Sequence, residues 1–153
     1  MGLFNILNIS AAGLTVERTR LEVAVTNLAN AQTTAPPGGL LYQPVQAILR
    51  SASQARLQSS HMDGPSLEGS SLEAALPRPF VAEIAPMSSP PRRVYDPGHP
   101  DADAQGFVSY PGVDPVTTML DLLSISRSYE ANVKAFDITR TLLERTLDMG
   151  SQR

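Results

Sequence analysis

Asp96, His99, Asp101 and Asp103 sit in the run DPGHPDADAQG and form the densest collection of metal-ligating or proton-carrying side chains in this sequence. Oxygen ligands at alternate positions followed by glycine resemble the opening of a calcium loop, with Asp101, Asp103, Gln105 and Gly106 in its first, third, fifth and sixth places. The twelfth place, which needs a bidentate glutamate, falls on Gly112. Prolines break the flanking segments, so no helix leads into the loop. The run reads first as an acidic, solvated turn. A metal-binding protein centred on Asp96–Asp103 stands as the alternative.

Other chemistry has less to build on. His61 and His99 have no helical partner four residues away and no HExxH pattern, so a zinc site would need distant residues. No serine lies in a GxSxG elbow, and no GxGxxG or GxxxxGK[ST] phosphate loop is present. Zero cysteines remove disulfides, thiolate nucleophiles and cysteine-ligated zinc together. A net charge of −3, with Lys134 the single lysine, gives no basic footprint for a phosphate backbone, so no nucleic acid is expected as a partner. No apolar run approaches the roughly 20 residues of a membrane-spanning helix, so no direct membrane insertion is expected. Residues 1–16 are uncharged and lack the basic leading region of a signal peptide, while Asn5, Asn8 and Ser10 interrupt their apolar stretch. The expectation is a non-enzyme without cofactor or bound metal.

The elements that must position these residues divide the 153-residue chain in three. All thirteen prolines and seven of the ten glycines lie between Pro36 and Pro115, which keeps long helices to the two ends. Residues 1–34 form an N-terminal assembly helix segment, 35–113 a middle of β-hairpins and loops with a flexible stretch at 51–79, and 114–150 a C-terminal assembly helix. The class is mainly α, with long N- and C-terminal helices around a short Pro/Gly-rich middle of small β-hairpins and loops.

In the first segment Leu7, Leu14, Leu21 and Leu28 recur every seventh residue as a helical stripe. A second row, Ile9, Val16 and Val23, lies two positions on, and at about 100° per residue it faces the opposite side. A helix apolar on two sides needs two partners. The third segment opens with Asp114 before Pro115, an N-cap followed by a first-turn proline. It repeats Leu122, Tyr129, Phe136 and Leu143 every seven residues and is expected to stop at Gly150. Arg127, Glu130, Lys134 and Asp137 recur at helical spacing, which predicts ion pairs along one face. In the middle, Leu40–Tyr42, Val45–Leu49, Phe80–Ile84, Val94–Tyr95 and Phe107–Tyr110 have strand-like composition between turn signals. Ser51 to Pro77, rich in Ser, Gln, Ala and Gly, reads as linker.

The helical segments also carry a resemblance. The run RLEVAVTNLANAQT, with its core Asn27, Leu28, Ala29 and Asn30, resembles the N-terminal signature of flagellar rod, hook and related axial proteins. Val94 to Gly150 resembles the C-terminal region of the small proximal-rod branch of that family, a resemblance that implies terminal helices paired as a coiled coil. The matching features are a Tyr-x-Pro-x-x-Pro-x-Ala run, a Gly-aromatic-Val strand, a Pro-x-Val step, and an Arg-x-Tyr-x-Ala-Asn-Val core at Arg127, Tyr129, Ala131, Asn132 and Val133. Gly112 stands where that step carries asparagine. The resemblance implies a structural subunit of the basal-body rod in the periplasm, polymerising through its terminal helices into a drive shaft around the export channel. It implies as partners other proximal and distal rod subunits, copies of the chain itself, and the adaptor joining the rod to the export apparatus. That apparatus would secrete the chain without signal cleavage. Another rod subunit of the same family is the nearest alternative. The implied contacts are the rows named above together with Asn27, Asn30, Arg127, Asn132 and Val133.

Overall fold

A computed structural model describes residues 2–51 and 78–151, with side chains described from Asn5 through Gly150 of those spans. In chain order the elements are α1 (Gly2–Ala29), β1 (Val45–Ser51), β2 (Pro79–Pro86), β3 (Arg92–Tyr95), β4 (Phe107–Tyr110) and α2 (Pro115–Ser151). β1 pairs with β2 and β3 with β4, as two small antiparallel sheets. The expected linker falls largely on residues outside the described ones; its flanks belong to strands, since β1 reaches Ser51 and β2 starts at Pro79.

The helix ends follow local chemistry. α1 stops at Ala29, short of Thr34, because its last turn tightens: the Ala31 N–H donates to the Leu28 carbonyl at 3.2 Å, and both the N–H and the hydroxyl of Thr33 donate to Asn30 O. α2 begins as its cap predicts. The Asp114 carboxylate accepts from the Val116 N–H at 3.2 Å and the Thr117 N–H at 3.4 Å, filling two donors that a helix start leaves open. Its far end departs from expectation, running through Gly150 to Ser151. A glycine ends a helix by turning left-handed, and among the described residues only Gly38 and Gly106 have positive φ.

Leu40–Tyr42 also departs from expectation and stays irregular. The Gly39 N–H closes a turn onto Pro36 O at 2.8 Å, and Leu40 projects fully into solvent. At the second hairpin, Arg92, Arg93, Val94 and Tyr95 oppose Tyr110, Ser109, Val108 and Phe107. Val108 is completely buried, while Tyr95 and Phe107 meet edge to face at 5.3 Å.

The chain clusters into two units, each drawing on both helices. One comprises the described residues of 1–19, 48–83 and 126–153. In it Val16 and Ser10 of α1 and Thr139 of α2 are buried. Thr139 tolerates burial because its hydroxyl donates to the Ala135 carbonyl at 2.8 Å. The other unit comprises 20–47 and 84–125. Val108, Pro44 and Pro111 are its most deeply buried side chains, with Ala31, Ile125 and Asn27 close behind.

Candidate assembly surfaces

The two apolar rows of α1 have different fates. Val16, in the β-branched row, is 4% exposed and lines an open apolar cleft of about 480 Å³ with Ala12, Thr15, Thr19, Pro79, Phe80 and Val81. Ile9 and Val23 are half-buried. Of the leucine row, Leu7, Leu14 and Leu28 are half-buried and Leu21 is exposed, with exposed Val25 beside it. Gly13 lies close against α2: a Cβ there would stand 3.2 Å from the Asn132 side-chain nitrogen.

On α2, Leu122, Asn132, Val133, Phe136 and Leu143 are half-buried, while Arg127 and Tyr129 are exposed. The deepest positions are Ile125 and Thr139, neither of which belongs to the row read from the leucines and aromatics. They belong to a second seven-residue row, Thr118, Ile125, Asn132 and Thr139, interleaved with the first at intervals of three and four. Its threonines and asparagine disguise it from a search for apolar residues. Much of the remaining helix surface is apolar and open. Val116, Met119, Leu120 and Leu123 are exposed in the second unit, and Ile138, Leu142, Leu147 and Met149 in the first. Only Val16, Ala31, Val108 and Ile125 are buried hydrophobics among the described residues, so the apolar surface left in water far exceeds the core.

The charge ladder of α2 differs from its expected pairing. Arg127, Glu130, Lys134 and Asp137 are exposed and form no ion pair among the described residues. The helical pair that does form is Arg140 to Glu144, at 2.9 Å. A stretched pair on a solvated helix gains only a few tenths of a kcal/mol, too little to hold long side chains in one geometry.

Asn27 and Asn30 act within their own chain. Asn30 Nδ2 donates to Thr26 O at 2.9 Å, closing the end of α1. Asn27 is 7% exposed, and its Nδ2 donates to the Val45 carbonyl at 2.7 Å while its Oδ1 accepts from the Val45 N–H at 3.0 Å. The Tyr42 hydroxyl donates to the same Oδ1 at 2.8 Å. Sequence reasoning placed Asn27 in a signature without finding these bonds, because its partner is backbone 18 residues away.

The acidic run is a bonded loop. Asp103 Oδ1 accepts from the N–H groups of Gln105 and Phe107, each at 2.9 Å, and its other oxygen takes Arg93. The Phe107 N–H, more than any other group, holds this carboxyl below the usual carboxylate range, and the Gln105 N–H and Arg93 add to it against a desolvation that raises it. Arg93 also lies over the Phe107 ring, 5.0 Å from its centre. Asp101 accepts from the Thr34 hydroxyl, and Asp96 from the Gly98 N–H at 3.3 Å. Gly106 closes the loop with φ of 82°, and a Cβ there would lie 2.9 Å from the Tyr95 ring. These carboxylates shape a hairpin turn.

Two long helices with open apolar faces dominate the described surface. A family model described as "Flagellar basal body rod FlgEFG protein C-terminal" matches residues 104–149, which span β4 and nearly all of α2. The "Flagellar basal-body rod protein FlgC" of Bacillus subtilis is 36% identical over 156 residues, covering 98% of this chain and 99% of the relative. That of Escherichia coli O6:H1 is 35% identical over 150 residues with the same coverage, and that of Aquifex aeolicus 31% identical over 151 residues, covering 97% of each. The chain belongs to the FlgC family of flagellar basal-body rod proteins.

Proposed function

We propose that this chain is a structural subunit of the flagellar basal-body rod, that α1 and α2 pair as a coiled coil, and that their outer faces hold neighbouring subunits. The observation that carries this reading is the imbalance between the four buried hydrophobics among the described residues and the open apolar surface of both helices. Burial of apolar surface stabilises by about 25 cal/mol per Å². Here most of that gain is available only when another subunit covers the helices. Helix pairing is supported by the approach of Gly13 to Asn132 and, in the other unit, by a cleft shared by Arg20, Ala24 and Asn27 with Thr118, Asp121 and Ile125.

Contacts that repeat without closing generate an open helical tube, the geometry a shaft needs to carry torque around a central channel. The subunits in contact would be copies of this chain, other proximal and distal rod proteins and the adaptor to the export apparatus. That apparatus would deliver the chain to the periplasmic rod without signal cleavage.

Leu21→Glu and Leu142→Glu test this, since both side chains are exposed and their loss leaves the interior of the lone chain intact. In a strain lacking the native gene, each variant is expected to be secreted yet to leave cells non-motile and basal bodies without a complete rod. Normal swimming in both variant strains would overturn the assembly role of these faces.

A further inference from the structure

We infer that Asn27 is a clamp whose side-chain amide stands in for a neighbouring strand at the start of β1, so that the end of α1 and the chain through Val45 lock in one step. A backbone residue in an antiparallel ladder exchanges an N–H donor and a C=O acceptor with the residue opposite. Asn27 offers both from one planar group: Nδ2 to the Val45 carbonyl at 2.7 Å and Oδ1 to the Val45 N–H at 3.0 Å. Val45 is the first residue of β1 and follows fully buried Pro44, which cannot donate, so the first ladder bond available to this strand goes to a helix side chain. The Met87 N–H holds Pro44 from the far side, donating to its carbonyl at 2.7 Å.

The orientation of the amide is fixed by its partners. A backbone N–H and a hydroxyl converge on one side, and a carbonyl faces the other. Aspartate has the same shape but no donor, so its second oxygen would meet the Val45 carbonyl, and alanine would leave both Val45 groups unsatisfied. Tyr42, whose pKa burial pushes up, stays a donor across the acid and neutral range. The other charged groups facing this place are Arg20, on α1, and Asp121, on α2, both lining the adjoining cleft.

The clamp concerns the subunit itself and stands whether or not the helices polymerise. Its test is a pH profile. Protonating the carboxyl introduced by Asn27→Asp restores the missing donor, so in that variant the folded state favours the protonated acid and the raised carboxyl pKa gives stability at low pH that is lost as pH rises. Purified wild-type, Asn27→Asp and Asn27→Ala chains would be compared by hydrogen exchange at the Val45 amide and by thermal melting between pH 7.5 and pH 4.5, scored against wild type at each pH. At neutral pH both variants are expected to lose roughly ten- to hundredfold in protection. On acidification the Asn27→Asp deficit should shrink while the Asn27→Ala deficit persists. Parallel deficits at every pH, or a fully protected Val45 in neutral Asn27→Asp, would overturn the inference. Should both variants unfold at neutral pH, refolding of Asn27→Asp alone in acid upholds the clamp and its failure to refold rejects it.

Discussion

Asp103 and Asp114 show how a carboxylate can be absorbed by architecture. Each gathers backbone N–H groups, Asp103 at the mouth of a hairpin and Asp114 at the head of α2, and each has its pKa lowered, the latter first by the Thr117 hydroxyl. Because the folded chain holds these protons less tightly than the unfolded one, their contribution is present above the ordinary carboxylate pKa of about 4 and fades as pH falls below it. Thermal melts should therefore show a stability loss below about pH 4, and Asp103→Asn should flatten that acid limb. Gly106 makes a sharper case at the same turn. Its left-handed φ and the Tyr95 ring 2.9 Å from a built Cβ leave no room for a side chain. Gly106→Ala should cost about 1–3 kcal/mol in chemical denaturation, from a strained backbone conformation together with the displaced ring.

The helices teach a different lesson about what a sequence discloses. Their existence, the Asp114 cap and the heptad spacing were legible because each is written in adjacent residues. Which position of α1 is buried deepest was not, since Leu7–Leu28 and Ile9–Val23 are equally apolar and the cover over Val16 comes from the distant Pro79, Phe80 and Val81. The inward row of α2 was half hidden by Asn132 and Thr139, whose burial depends on local hydrogen bonds and a glycine opposite. The acidic run reads as a turn from its own residues, but its partners, Arg93, Thr34 and successive backbone N–H groups, were not legible because hairpin and loop bring them in. The approach of α1 to α2 at Gly13 yields a measurable coupling. Gly13→Ala alone should gain little, since helix propensity is offset by a crowded Asn132 amide 3.2 Å away. In an Asn132→Ala background the same change should stabilise by up to about 1 kcal/mol, and the difference between the two melts measures that contact.

For the whole molecule, family membership and open apolar surface point the same way. Under the proposed assembly, a subunit that keeps Val116, Leu120, Leu123, Ile138, Leu142 and Leu147 exposed leaves much of its hydrophobic stabilisation to be realised between chains. Its lone-chain stability should consequently be modest for its size and should depend on protein concentration as assembly begins, which melts over a dilution series would show. The middle region works on another principle, with small hairpins tied by side-chain bonds such as those of Asn27, Asp103 and Ser89.

That last residue limits what its neighbour across the chain can be. Ser89 Oγ donates to the Gly112 carbonyl, and a Cβ on Gly112 would run into both Ser89 and the Pro90 carbonyl. Asparagine, or any other residue with a side chain, enters position 112 only after the 89–90 segment has shifted. Positions 89 and 112 are thereby coupled, and the effect of a substitution at one depends on the residue at the other.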